Sequence, residues 1–97
     1  MKPRIKPSNI LFHEIIGLKV KILQYTDSQL VGVEGLVADE TLKTIVIERG
    51  DGRRIRVFKA NGVFEFTLPS GKLVVIKGDD LIGRPWDRLK KLLTAKW

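Results

Sequence analysis

The stretch that decides the fold is LVGVEGLVADETLKTIVI, residues 30–47. It contains two runs of alternating, largely β-branched residues, at 31–39 and 44–47, which are separated by a short polar turn. Gly32 and Gly35 interrupt the first run. Glycine inside a strand usually marks a bulge or a sharp bend, and a small sheet needs such bends to curl. The stretch therefore predicts an antiparallel strand pair in a strongly curved sheet.

Four further apolar runs extend the pattern to six strands. They cover residues 18–25, 53–60, 63–68 and 72–77. The Gly-Asp-Gly sequence at residues 50–52 and the pair Asn61-Gly62 predict tight hairpins, because both supply residues that tolerate a positive φ. Six short strands joined by turns predict a mainly β fold class. The predicted architecture is a six-stranded, strongly curved antiparallel SH3-like or Sm-like barrel.

Short helical extensions are predicted on both sides of the strands. Residues 9–16 place apolar side chains near one helical face, and Gly17 ends this helix. Near the C-terminus, Pro85 and Asp87 suit the first turn of a second helix. The predicted organisation is a flexible basic segment (1–8), a helix plus β-barrel domain (9–83) and a basic amphipathic helix (84–97).

Basic residues are concentrated at the two ends of the chain. The 97 residues include 18 Lys or Arg and 11 Asp or Glu, for a net charge of +7. Residues 1–21 and residues 84–97 each hold five basic residues and one acidic residue, whereas the segment between them is nearly neutral. This distribution is typical of a protein whose extensions bind a polyanion such as nucleic acid. The alternative is that the basic ends serve only solubility.

Few residues could carry catalytic or metal chemistry. The chain has no cysteine, and His13 is its single histidine, so a metal site or a nucleophilic triad lacks suitable residues. The acidic pairs Asp39-Glu40 and Asp79-Asp80 are typical of turns and helix starts. No apolar run approaches the ~20 residues of a membrane span. We therefore predict a soluble, cytoplasmic protein with no catalytic residue, no metal site and no membrane association.

Basic residues on the strands and on the second helix are the predicted RNA contacts. In the fourth strand, Arg54 and Arg56 share one face while Ile55 and Val57 lie on the other. Arginine matches phosphate geometry well, and several arginines on one rim can follow an RNA backbone. The full predicted set is Lys19, Lys21, Arg49, Arg53, Arg54, Arg56, Lys59, Arg84, Arg88, Lys90 and Lys91.

Two features of this basic surface leave alternatives open. Glu48 and Asp51 lie close in sequence to the arginines, so the surface can also be an ordinary solvated face with partly neutralised charge. Aromatic residues that could stack on bases are few, Tyr25 and Phe58 being the exceptions. Recognition of RNA by its shape and backbone is therefore the expected mode.

Apolar faces of the two terminal helices form the predicted surface for a partner protein. Short helices are marginal alone, so their apolar faces must pack against something. The predicted partner contacts are Ile10, Leu11, Ile15, Trp86, Leu89, Leu92 and Leu93. The alternative is that these faces pack on the protein's own barrel.

Over about residues 9–91 the chain resembles the archaeal ribonuclease P protein component 1 family, which is shared with the eukaryotic enzyme. The resemblance rests on NILFHEIIGLKV (9–20), SQLVGVEGLVADETLKTIVI (28–47), VFEFTLPSG (63–71) and LIGRPWDRLKK (81–91). It implies an Sm-like barrel with helical extensions, in a ribonucleoprotein that removes the 5′ leader of precursor tRNA. It also implies that the RNA carries the catalytic magnesium, while this subunit binds no cofactor and assists RNA folding and substrate recognition.

The same resemblance implies a set of partners. These are ribonuclease P RNA through its specificity domain, precursor tRNA, a zinc-ribbon protein subunit that binds the terminal helices, and the other protein subunits. Two interpretations of different classes stay open from the residues alone. One is a basic SH3-like protein-interaction module, and the other is an Sm-type RNA-binding barrel outside ribonuclease P.

Overall fold

A single six-stranded antiparallel sheet forms the body of the protein in a computed structural model, which describes residues 5–94 and side chains up to residue 90. The strands are β1 (Lys19–Gln24), β2 (Glu34–Glu40), β3 (Thr44–Glu48), β4 (Arg54–Phe58), β5 (Val63–Thr67) and β6 (Leu73–Lys77). Their order in the sheet is β4-β3-β2-β1-β5-β6, so β4 and β6 are the end strands. The mainly β class and all six strands are confirmed, whereas closure into a barrel stays a prediction.

Short helical elements lie before, between and after the strands. Within residues 5–94 they are three 3₁₀ turns, Ile10–Phe12, Ser28–Leu30 and Gly78–Leu81, and the helix α1, Pro85–Thr94. The structure shows the predicted C-terminal helix over Pro85–Thr94, and the last predicted residues, 95–97, lie outside the described residues. A carboxylate oxygen of Asp87 accepts a hydrogen bond from the backbone N–H of Arg84 (3.1 Å), which caps the first turn.

Alternation along the strands places the core on one face of the sheet. Val20 and Ile22 of β1 are buried, while Lys19 and Lys21, which alternate with them, are exposed. The inward residues of β5, Phe64 and Phe66, are completely buried. Burying each large apolar side chain contributes about 1.5–3 kcal/mol, so this face supplies most of the driving force for folding.

Two register shifts and one close backbone approach interrupt the regular pairing of the sheet. The β1–β5 register shifts between Ile22 and Gln24, and the β2–β3 register shifts between Val37 and Asp39. At Gly35 the backbone of β3 passes so close that an added Cβ would lie 2.2 Å from the carbonyl oxygen of Glu48. The sequence predicts a bulge or a sharp bend at Gly32 and Gly35, but the register shift of β2 lies between Val37 and Asp39, and Gly35 instead allows this close approach.

The hairpin predicted at Asn61-Gly62 is wrong. Asn61 does adopt a positive φ of 64°, but the turn connects β4 and β5, which are not neighbours in the sheet. β5 instead pairs with β1, and β4 pairs with β3. A turn signal fixes only the local backbone, whereas strand pairing depends on which faces can be buried together.

The helix predicted over residues 9–16 is also wrong. Only Ile10–Phe12 form a 3₁₀ turn, and the backbone is already extended at His13. Ile10 and Ile15 are five residues apart, so a helix would point them in different directions, whereas the extended stretch lets both enter the core. They are therefore not part of an exposed partner surface, and the alternative of packing on the protein's own fold is correct for them.

Replacement of Gly35 by alanine should destabilise the protein by roughly 2 kcal/mol or more, because the new methyl group would collide with backbone of β3 rather than with a movable side chain. Gly50→Ala is the matched control, since an added Cβ there meets nothing within 4 Å. Urea unfolding of both variants measures the difference. Equal stability of the two variants would contradict the close approach.

Candidate nucleic-acid interface

Arg54 and Arg56 lie on the exposed face of β4, opposite Val57, as the alternation predicts. Arg54 Nε donates to Glu48 Oε1 (3.0 Å), and Arg56 Nη1 donates to Thr44 Oγ1 (3.3 Å). Both partners are on β3, so the two side chains extend across that strand. Long arginine stems can cover apolar surface in this way while their charged ends stay in water.

The hairpin between β3 and β4 carries two further arginines. Arg53 Nε lies 3.7 Å from Asp51 Oδ2, and both side chains are well exposed. Arg49 is exposed and has no ion-pair partner in the described part of the chain. Glu48 and Asp51 therefore neutralise Arg54 and Arg53 in part. Exposed pairs of this kind are worth only about 0–1 kcal/mol, so an RNA phosphate can compete for either arginine.

Lys19 and Lys21 occupy a part of the outer face where the charges are mixed. Lys21 lies between Glu34 of β2 and Glu65 of β5 in the strand register. Both lysines and Arg49 line a groove of about 580 Å³ that also contains these two glutamates and Glu48. Since carboxylates repel a polyanion, this groove favours RNA much less than the arginines of β4 do.

The prediction that Lys59 and Arg88 contact RNA is wrong. The structure buries both residues, with 0% of Lys59 and 4% of Arg88 exposed. Their side chains meet at Glu40, which is also buried. Charged side chains are almost never fully buried unless they are paired. These three residues form what we call the buried ionic cluster.

Hydrogen bonds satisfy the charged ends of the buried ionic cluster. Glu40 Oε2 accepts from Lys59 Nζ and from Arg88 Nη1, at 2.7 Å in each case. The remaining donors reach backbone carbonyls. Lys59 Nζ bonds to Thr41 (2.8 Å), Leu42 (3.3 Å) and Gly83 (2.9 Å), while Arg88 bonds to Gly83 (2.6 Å), Leu81 (3.1 Å), His13 (3.1 Å) and Leu11.

One carboxylate thus serves two cations, which leaves the cluster with a net positive charge. Burial lowers the pKa of the Lys59 ammonium below its ordinary value, and the hydrogen bond and charge of Glu40 oppose that effect only in part. Arg88 lowers the pKa further by repulsion. The cluster connects β2, β4, helix α1 and the N-terminal segment, so its role is to hold these parts together.

The remaining predicted contacts lie in the C-terminal helix or just before it, except for Leu11. Arg84 and Lys90 are exposed, Leu89 is half-buried, and 65% of Trp86 is exposed. Leu11 is half-buried against the core. The side chains of Lys91, Leu92 and Leu93 lie outside the described residues.

The described residues contain neither a metal-binding group of side chains nor a membrane-spanning helix. No three His, Cys, Asp or Glu side chains come together in a group that could hold a metal ion between residues 5 and 94. Within the same range, no helix is both long enough and apolar enough to cross a membrane.

Comparisons with known proteins agree on one family. A family model described as ribonuclease P/MRP, subunit p29, matches residues 8–91. A ribonuclease P protein component 1 of Desulfurococcus amylolyticus is 62% identical over 87 residues, which cover 90% of this chain and 95% of that protein. The corresponding protein of Staphylothermus marinus is 56% identical over 85 residues, or 88% of this chain and 92% of that protein.

A solved structure gives the same result. Mth11, described as a homologue of the human RNase P protein Rpp29, superposes with a TM-score of 0.59 at 46% sequence identity. The superposition covers 78% of this chain and 97% of the Mth11 chain.

Glu40→Gln should destabilise the protein by about 3–5 kcal/mol, because it leaves two buried cations without a counter-charge. Glu48→Gln is the matched control, since its pair with Arg54 is exposed and should cost about 1 kcal/mol or less. Thermal and urea unfolding measure both changes. Similar losses in the two variants would show that the buried ionic cluster contributes no more than a surface pair.

Titration of Lys59 should make stability depend on pH. Because its pKa is lower in the folded chain than its ordinary value of 10.5, there is a window below pH 10.5 in which only the unfolded chain binds this proton. The free energy of unfolding therefore rises with pH through that window and then levels off. Urea unfolding should show this rise in the wild type but not in Lys59→Met, and identical profiles would contradict it.

Proposed function

This chain belongs to the ribonuclease P/MRP subunit p29 family and is a protein component of ribonuclease P, and on that premise we propose that its β4 arginines bind RNA. As such a component it associates with the RNA and the other subunits of that complex. The observation that carries the proposal is the state of Arg56, which is exposed and has no ion-pair partner in the described part of the chain.

We propose that this subunit is not catalytic and that magnesium bound to the RNA performs the cleavage. Hydrolysis of a phosphodiester needs a metal ion or a positioned acid and base. Two carboxylates near the end of the sheet have structural roles: Asp79 accepts from the backbone N–H of Asn61 (3.0 Å), and Asp87 caps α1. The chain's contribution would then be to support RNA folding and recognition of precursor tRNA.

We further propose that the outer face of α1 binds the zinc-ribbon subunit. Arg88 points into the buried ionic cluster, and Trp86, two positions earlier, lies about 200° away around the helix. Its indole is therefore directed away from the sheet, which agrees with its exposure. Tryptophan is enriched among residues that dominate protein interfaces. The resemblance in sequence suggests the specificity domain as the RNA partner of the assembled pair.

Reconstitution tests the function directly. Ribonuclease P RNA, the zinc-ribbon subunit and magnesium are assayed for cleavage of precursor tRNA with and without this chain. We expect the chain to stimulate cleavage and to cleave nothing in the absence of the RNA. Cleavage by the folded protein alone would contradict the non-catalytic role, and the absence of any stimulation would contradict the helper role.

Arg56→Gln should weaken binding to ribonuclease P RNA by about threefold to tenfold and reduce the slope of log affinity against log salt by about one. Arg54→Gln is the matched control on the same strand face and should lose less, because Glu48 already neutralises Arg54 in part. Filter binding at several salt concentrations measures both variants. Unchanged affinity of Arg56→Gln would place the RNA contact elsewhere.

Trp86→Ala should weaken binding to the zinc-ribbon subunit by about tenfold or more while leaving the fold intact, since the side chain is largely exposed. Leu73→Ala is the matched control, because Leu73 is similarly exposed (61%) but lies on β6. Isothermal titration calorimetry with the purified subunit measures both. Equal affinities for the two variants would exclude the Trp86 face as the docking surface.

A further inference from the structure

Phe58 is a large apolar residue that the sheet leaves in solvent. It is the last residue of β4, and 63% of its side chain is exposed, whereas Phe64 and Phe66 are completely buried. Arg54, Arg56 and Phe58 follow each other at two-residue intervals, so they share the outer face of the strand. The outer face of β4 thus ends in an exposed aromatic ring next to two arginines.

The backbone of Phe58 is held in place by a tyrosine. Tyr25 Oη donates to the carbonyl oxygen of Phe58 (3.0 Å) and accepts from its N–H (2.9 Å). The next residue, Lys59, bonds to Lys43 beside β3, and hydrogen-bonded pairs alternate along an antiparallel ladder. The N–H and C=O of Phe58 therefore point to the edge of β4 that faces away from β3. The ring is thus displayed from a fixed backbone and not from a frayed strand end.

The same tyrosine argues against a protein strand as the ligand at this position. Addition of a strand to a sheet edge requires free backbone N–H and C=O groups along that edge. At Phe58 both groups are already bonded to Tyr25. A ligand that contacts the ring from the outer face, without pairing with the backbone, fits this end of β4 better.

Positive charge lies close to the ring along the strand. Arg56 lies about 6.5 Å away along the strand. Lys43 lies next to the end of β4, where its carbonyl oxygen accepts the N–H of Lys59 (2.8 Å), and its side chain is exposed. Within residues 5–90, neither cation has an ion-pair partner. Asp39 shares a groove with Arg56, and Glu40 is buried in the ionic cluster.

We propose that Phe58 is a stacking site for an unpaired RNA nucleotide, with Arg56 contacting a neighbouring phosphate. Aromatic rings interleaved with cations bind single strands, because every base offers a flat face and every linkage a negative charge. Bases inside a duplex are already stacked on their neighbours, so they cannot stack on such a ring. This inference deepens the proposed function and rests on it.

Binding of two labelled RNAs tests the site. The probes are an oligouridylate of about ten nucleotides and an RNA duplex of similar length. Phe58→Leu keeps an apolar side chain but removes the ring, and Phe58→Tyr keeps the ring. By fluorescence anisotropy, we expect Phe58→Leu to bind the oligouridylate about fivefold or more weakly than the wild type, Phe58→Tyr to bind within about twofold of it, and duplex binding to be equal in all three proteins.

A second readout places the base on the ring itself. Phe58→Trp is made in a chain whose own tryptophans are replaced by Trp86→Phe and Trp97→Phe. The oligouridylate should quench the fluorescence of the introduced indole, whereas the duplex should not. Quenching by neither RNA, with bound oligouridylate confirmed by anisotropy, would overturn the stacking site.

The outcomes separate this site from the proposed function. If the wild type binds ribonuclease P RNA but not the oligouridylate, or if Phe58→Leu weakens both probes equally, the stacking site is wrong and the proposed function stands. If the wild type binds neither RNA, the proposed RNA-binding function fails as well. If Phe58→Leu instead weakens binding of the zinc-ribbon subunit, this surface is a protein interface and the proposal is overturned.

Discussion

The buried ionic cluster around Glu40 holds α1 and the segment around Leu11 and His13 to the sheet. Glu40 Oε2 accepts from Lys59 at the end of β4 and from Arg88 in α1. Taking such charges out of water is costly, and the cost is met only where good geometry and further hydrogen bonds accompany the pairing. Carbonyls of the N-terminal segment and of the adjoining turns supply those bonds. No buried polar side-chain atom among the described residues is left without a partner.

The buried ionic cluster also determines what the surface offers. Lys59 and Arg88, which the sequence marks as RNA contacts, are buried inside the protein. The exposed positive charge of β4 is therefore that of its arginines. By turning Arg88 inward, the cluster also fixes the rotation of α1 and leaves Trp86 in solvent. Burial of Lys59 and Arg88 therefore affects both proposed binding surfaces, the arginines of β4 and the outer face of α1.

Strand alternation made most of the sheet predictable, because it is local and each strand buries one face. The same alternation contained the signal for Lys59, which follows Ile55 and Val57 at two-residue intervals and so lies on the inward side. Glu40 was harder to predict, because the register shift between Val37 and Asp39 changes which residues of β2 face inward. The contact between Arg88 and the N-terminal segment had no signal at all, since it joins residues 75 apart in sequence.

That long separation also sets an order of events during synthesis. The carbonyls of Leu11 and His13 are made 77 and 75 residues before the guanidinium that binds them. Closing a loop of this length costs more conformational entropy than pairing adjacent strands, so the contact forms late. The hairpins of the sheet can pair while the chain is still growing. The contacts of the cluster cannot form until α1 has left the ribosome, and a newly made chain is most exposed to misassociation during that interval.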